Sequence, residues 1–349
     1  MSELPRVIIS CLISSSTISQ AELIKKLLGE KGYEGYFQNM VSVYDLKKDR
    51  NHAFLWFTLA LSKYLGDAVA PYFFCKKPKC VYVTVEGLPS KATVLYSNIP
   101  KMDLVANSEF TAKCLRTVGL NVVEVVHHAL DTENCRVIKE SSLKLRQKWE
   151  AEYETRTKII YVGRNDPRKG LTNLATALDM IPEEVMNKFV LLLYSDGLLD
   201  PILAHNNVVQ LGGFGTLQHD QVLEMMGASD YLIFPTVSEG FGLPVLEANG
   251  MGIPAIHAWI PPLCEFSSKE HNFVFSHTHE DLVNNANRQF WIFHQYRSET
   301  LAEMITQAVR VHQDSRKEYD EYCSKALAHS KAWDYKKIYP PILSRLGIA

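Results

Sequence analysis

Short apolar runs alternate with polar turns and amphipathic stretches through most of the chain. Residues 7–13 form the first run; Ser14, Ser15, Ser16 and Thr17 follow, and then Ala21, Ile24, Leu27 and Leu28 fall at helical spacing. That is strand, polar turn and helix, the opening of an α/β unit. Strand-like runs return at residues 81–85 and 122–126. A charge-rich stretch of helical character, 139–156, changes the tone of the sequence and predicts a domain boundary near 145–157. Beyond it the pattern repeats, with strands over 158–162, 189–194, 208–211, 231–234 and 253–257 and helices over 171–181, 218–226 and 243–249. Apolar runs interleaved with helices predict parallel sheets covered on both faces. From Asp281 the chain reads as mainly helical, with Phe290, Trp291, Phe293 and Tyr296 at helical spacing as packing residues.

The expected organisation is therefore two doubly wound domains, 1–150 and 151–330, with a last helical segment, 331–349, returning to the first. A length of 349 residues suits two cores. Charge changes the picture only by its distribution. Residues 1–150 hold 20 Lys and Arg against 15 Asp and Glu, residues 151–349 hold 17 against 24, and the whole chain carries −2. An excess of cations in the first half fits either an ordinary solvated face or an anionic partner, such as an acidic membrane surface or a phosphate-bearing acceptor. It is too weak and scattered for nucleic acid. No apolar run reaches the roughly 20 residues a spanning helix needs, and no cleavable signal is expected at the N-terminus. Seven cysteines at irregular spacing, without a C-x-x-C, point to a reduced, cytoplasmic protein, peripheral to the inner face of a membrane at most.

Two loops that follow predicted strands carry candidate chemistry, and parallel sheets place ligands at such strand ends. In GRNDPRKG, residues 163–170, Gly163 is expected to let the backbone turn, while Arg164 and Lys169 project cations suited to a diphosphate. The alternative is a basic loop with solvated charges. In SEGFGLPVLE, residues 238–247, Gly242 frees the backbone and Pro244 suits the first turn of a helix. The amides of Phe241, Gly242 and Leu243 would then point at an anion. Glu239 before that helix and Glu247 early in it could both address one cleft.

Glu239-x7-Glu247, preceded by GRNDPRKG, resembles the donor site of glycosyltransferase family 4, retaining enzymes of the GT-B fold, in which two Rossmann-like domains face each other across a cleft. Residues 103–120 (DLVANSEFTAKCLRTVGL), 125–135 (VVHHALDTENC) and 332–343 (AWDYKKIYPPIL) are similar to further segments of that family. The resemblance implies a sugar transferred from a nucleotide-diphosphate donor, such as a UDP- or GDP-sugar, to a hydroxyl of a glycan, lipid-linked or peptide acceptor. It implies that Arg164 and Lys169 bind the diphosphate, Glu239 contacts the transferred sugar, and Glu247 accepts hydrogen bonds from ribose. No cofactor and no obligatory metal are implied, in keeping with the lack of an Asp-x-Asp motif at a strand end.

The first domain departs from the family. Ser14, Ser15 and Ser16 stand where a Gly-rich loop is common, and would either bind phosphate or cap the helix. Glu86 follows the strand over 81–85, where many members have a His close to the sugar. His128 is read either as a hydrogen-bonding group near the cleft or as a structural histidine. His271, His277 and His279 lack the spacing of a metal-ligand set. Two other functions fit the same donor motif: a nucleotide-sugar-binding protein without turnover, and a GT-B nucleotide-sugar epimerase.

Overall fold

The computed structural model describes residues 4–11, 15–42, 44–59, 62–90, 99–197, 200–285 and 289–348. The chain forms two compact units, each built on a six-stranded parallel sheet.

The first unit holds the chain up to Asp131, Leu282–Ile292, and the chain from Trp333 on. Its elements are β1 (Arg6–Cys11), α1 (Ser15–Glu30), β2 (Glu34–Phe37), β3 (Asn51–Leu59), α2 (Ser62–Phe74), β4 (Lys79–Thr84), β5 (Gly87–Pro89), β6 (Leu104–Ala106), α3 (Glu109–Thr117) and β7 (Val122–Val125). The sheet runs β2-β1-β3-β4-β6-β7 with every pair parallel. Side chains alternate between its faces: Ile8, Phe54 and Val81 join one core, while Val7, Ile9, Leu55 and Tyr82 join the other. Both faces are buried, which is why these strands read as continuous apolar runs rather than alternating ones. Tyr335, Tyr339, Ile342 and Leu346 of the C-terminal segment pack into the second of these cores. Gln20 fastens them: its Nε2 donates to the Ala129 carbonyl at 3.0 Å, and its Oε1 accepts from the Ala129 amide at 2.8 Å and from the Tyr339 hydroxyl.

The second unit comprises Thr132–Asp281 and Phe293–Ala332. It contains α4 (Thr132–Ser141), α5 (Leu143–Tyr153), β8 (Thr157–Val162), α6 (Leu171–Leu178), β9 (Phe189–Tyr194), β10 (Val208–Gly212), α7 (His219–Ala228), β11 (Tyr231–Phe234), α8 (Leu243–Gly250), β12 (Ala255–Trp259), β13 (Phe273–Ser276), α9 (Ser298–Asp314) and α10 (Arg316–Ser330). Strand order is β10-β9-β8-β11-β12-β13, again all parallel.

Three expectations are corrected. The chain changes units at Asp131, not near 145–157. The polar stretch is no linker, because α4 and α5 bury Cys135, Ile138, Trp149 and Tyr153 in the second unit. Lys139 Nζ caps the Gly227 carbonyl at 2.7 Å, and Arg146 Nη2 lies 2.8 Å from buried Asp230. Secondly, residues after Asp281 do not turn helical at once. His279–Asn285 and Gln289–Gln295 are strands of a small sheet with β5, and the helices begin at Ser298. Phe290, Trp291 and Phe293 suit a pleated surface as well as a helix face, and the sheet partner decides. Gly87 permits that pairing, since a Cβ there would lie 2.0 Å from the Phe290 carbonyl oxygen. Finally, β2, β3, β6 and β13 are strands the hydrophobic pattern did not single out. All seven cysteines are free thiols.

Candidate active site at the strand-order switch

In the second sheet the chain winds outward in both directions from the neighbouring strands β8 and β11, which pair through Ile159–Tyr231 and Ile160–Leu232. Their following loops diverge toward opposite faces and leave a crevice at the carboxyl ends, the general ligand position of this topology. Those loops, 163–170 and 235–242, are the two that carry the sequence motifs.

The first is shaped by a short turn, Pro167–Lys169, capped by the Asp166 carboxylate, which accepts from the Arg168 amide at 3.1 Å. Gly170 ends the turn at φ 72°, and a Cβ there would lie 1.8 Å from the Pro235 carbonyl oxygen. Only glycine satisfies both conditions. The turn therefore lies against the end of β11, where the Arg168 carbonyl accepts from the Val237 amide at 2.9 Å and lies 2.9 Å from the Thr236 hydroxyl oxygen. The Tyr296 hydroxyl donates to the same Pro235 carbonyl.

This contact brings the charges together. Lys169 Nζ sits 2.5 Å from Glu239 Oε1, Arg168 Nη1 is 3.5 Å from Oε2, and the Thr236 hydroxyl is 3.0 Å from Oε1. Burial alone would raise the Glu239 carboxyl, but the Lys169 and Arg168 charges and the hydrogen bonds from Lys169 and Thr236 outweigh it and hold the group below its ordinary value. Glu239 is thus an anion in a nearly closed setting, with two cations at its oxygens.

Helix α8 begins after Gly242, whose φ of 97° favours glycine; a Cβ there would also start 2.1 Å from Leu263 Cδ2. Pro244 occupies the first turn, and Phe241 stacks on Phe266 with ring centroids 4.9 Å apart. The first amides of any helix lack intrahelical acceptors and carry the positive end of its dipole. Glu247 follows Leu243 by one turn and is largely buried. Its Oε1 lies 3.2 Å from His219 Nε2 at the start of α7. Glu247 drives the His219 pKa up to about 9.

Not every expected residue joins this centre. Arg164 is exposed at the start of its loop, its guanidinium 5.8 Å from the Phe214 ring centroid, and Arg168 takes the place beside Glu239. Gly163 supplies space rather than a left-handed turn: a Cβ there would meet the Tyr161 hydroxyl at 2.9 Å, which itself donates to the Arg164 carbonyl. Ser14 and the side chains of Ser15 and Ser16 lie outside the described residues. Glu86 stands between β4 and β5, half-buried. Of its two readings His128 takes the structural one: it is 3% exposed, stacks on Phe57, and shares a 3.0 Å hydrogen bond with Tyr82. Burial pushes its pKa down to about 3. Two contributors went unseen in the sequence. Arg168 stands next to Lys169 in the motif, but adjacency does not say which cation points inward. His219 opens a different helix and carries no local signal.

Among the described residues, no group of three or more His, Cys, Asp or Glu is placed to hold a metal ion. No described helix is long and apolar enough to cross a membrane.

Residues 144–325, more than half of the chain, match the family profile described as glycosyl transferases group 1. An uncharacterized glycosyltransferase 335 of Sulfolobus islandicus rod-shaped virus 1 is 25% identical over 269 residues, 76% of this chain and 79% of that protein. A solved glycosyltransferase from Rickettsia africae is similar with a TM-score of 0.75 at 14% identity, covering 99% of this chain and 98% of its own. Anabaena Alr3699/HepE, solved in complex with UDP and glucose, has a TM-score of 0.71 at 16% identity, over 99% and 100% of the two chains. These likenesses identify the fold as GT-B. With more than half its length matched to the group 1 profile, the chain belongs to the glycosyl transferases group 1 family and is a glycosyltransferase.

Proposed function

We propose that this glycosyltransferase is a retaining, metal-independent enzyme of the family 4 kind, moving a sugar from a nucleotide-diphosphate donor to a hydroxyl of a glycan, lipid-linked or peptide acceptor. The observation that carries the reading is the meeting of Lys169 and Arg168 with Glu239 at the strand-order switch, beside the start of α8. Lys169 and Arg168 set two cations side by side at the crevice, the kind of pair that suits the oxygens of a diphosphate. As the bond from the sugar C1 to the phosphate oxygen breaks, charge grows on that oxygen. Fixed cations and helix amides stabilise it without reorganisation, and they supply in place what a metal would supply. The acceptor oxygen bonds to C1 from the same face, and its proton passes to the departing phosphate. Glu239 stands beside the sugar as a positioned anion rather than a covalent nucleophile. UDP-sugars are the first donors to try, because the Anabaena neighbour was solved with UDP and with UDP-glucose.

The test is a panel of UDP-, GDP- and ADP-sugars with excess chelator present. Nucleoside diphosphate release accelerated by an added alcohol acceptor supports transfer. Binding without release would replace the reading by a non-catalytic binding protein, and donor interconversion without acceptor would replace it by an epimerase. Absence of affinity for all three diphosphates would remove the donor site altogether. A peripheral contact with an anionic membrane is part of the proposal. Exposed Tyr44, Phe73 and Phe74 lie among Lys47, Lys48 and Lys76, and Lys77 ties the two segments by bonding the Lys48 carbonyl at 2.6 Å. Co-sedimentation with anionic but not neutral vesicles tests it.

A further inference from the structure

Glu247 does not stand alone. His219, the first residue of α7, reaches across to α8 and meets one carboxylate oxygen, Oε1, at 3.2 Å. The Glu247 side chain is only 11% exposed and that of His219 48%, so the pair lies at the edge of solvent with the imidazole outermost. Among the described residues Oε2 has no hydrogen bond or ion pair. One oxygen is held and the other is presented.

We propose that His219 is a positioning residue, holding the Glu247 carboxylate by Oε1 so that Oε2 is aimed at the ribose hydroxyls of a nucleotide donor. The inference rests on the donor-site reading above and adds to it the group that orients the ribose acceptor. A free glutamate side chain samples several rotamers, and a ligand that orders it loses affinity in doing so. Anchoring one oxygen beforehand removes that loss and fixes the direction of the other lone pairs. The first turn of a helix disfavours a cation, so an imidazolium at His219 depends on its carboxylate partner. Asp220 on the same helix adds a weaker attraction. Charged groups on the other elements packed against α7 are engaged elsewhere: Lys139 of α4 with the Gly227 carbonyl, Arg146 of α5 with Asp230, and Lys158 of β8 with the Glu154 carbonyl. Glu247 holds the His219 pKa up to about 9, so the pair persists through neutral pH and loosens as the pH rises past that value.

The experiment compares wild type, His219→Ala and His219→Gln by calorimetry against UDP, GDP and ADP, each beside its 2′,3′-dideoxy counterpart. Wild type is expected to bind its preferred ribonucleotide about tenfold or more tightly than the dideoxy form, the worth of hydrogen bonds to a charged acceptor. His219→Ala should shrink that ratio to about twofold while leaving affinity for the dideoxy form unchanged. His219→Gln, which keeps a hydrogen-bond donor, should restore part of it. The wild-type ratio should fall as the pH is raised through about 9, and that of His219→Gln should not. A full ratio in His219→Ala overturns the proposal, and so does an equal loss for both nucleotides, which would mean general damage to the site. A wild type that ignores the ribose hydroxyls removes the ribose role of Glu247 itself, and the proposal with it.

Discussion

Gly170→Ala separates the geometry of the site from its chemistry, because it changes no charged group. The residue holds φ 72°, and alanine in the left-handed region costs about 1–2 kcal/mol. The larger effect is steric. The new Cβ would start 1.8 Å from the Pro235 carbonyl oxygen, and real Cβ atoms are not found closer than 3.0 Å to such a neighbour. The loop bearing Arg168 and Lys169 must therefore retreat from the end of β11, with its hydrogen bonds from Val237 and Thr236 at stake. A displacement on the order of 1 Å at a catalytic group costs about 100-fold in rate, and strain with clash should lower stability by about 3 kcal/mol. Gly215→Ala is the control: its φ is 87°, but a Cβ there meets nothing within 4 Å, so it carries the strain without the clash. Denaturant unfolding reads the stability, and the rate of nucleoside diphosphate release from the best donor reads the site. If Gly170→Ala turned over within about twofold of Gly215→Ala, the idea that this contact aligns the cations with Glu239 would be wrong.

Four further outcomes are expected. Lys169→Ala and Glu239→Ala should each lower transfer by at least about 100-fold in a steady-state assay, and wild-type rates in both would show that the site lies elsewhere. Lys169→Ala should also lose stability at neutral pH and become less sensitive to acid. The Glu239 carboxyl is depressed in the fold, so its contribution is present above its ordinary value of 4.5 and is lost as the pH falls through the folded value. Denaturation at pH 4 against pH 7 should show a smaller difference for the variant if Lys169 is the main cause. Arg168→Ala should weaken nucleoside diphosphate binding and turnover more than Arg164→Ala, by about tenfold, and the reverse order would restore Arg164 to the centre. His128 is held neutral, with its folded pKa near 3 against an ordinary 6.5. Its contribution is present above about 6.5 and is lost on acidification toward 3, so His128→Phe should flatten the decline of unfolding free energy over that interval. An unchanged slope would place His128 outside the core.

The chain by itself determined what is local. Apolar runs mark β8, β9 and β11 because strands buried on both faces are built mainly from apolar side chains, and these runs end where the strands end. Gly170, Gly242 and Pro244 specify turns and a helix start through backbone sterics that need no partner. The two motif loops and their family likeness were therefore legible. Tertiary structure decided which side chains meet. Arg164 and Arg168 are alike as sequence, and only the docking of one turn on Pro235 selects Arg168 for Glu239. His219 and Glu247 lie 28 positions apart on separate helices, and His128 reads the same whether it faces a cleft or a core. The helices α4 and α5 look like a linker until their partners α7 and Asp230 are in place. Local sterics act within a turn of chain, whereas contacts across a sheet are set by strand order, which no short window of sequence contains.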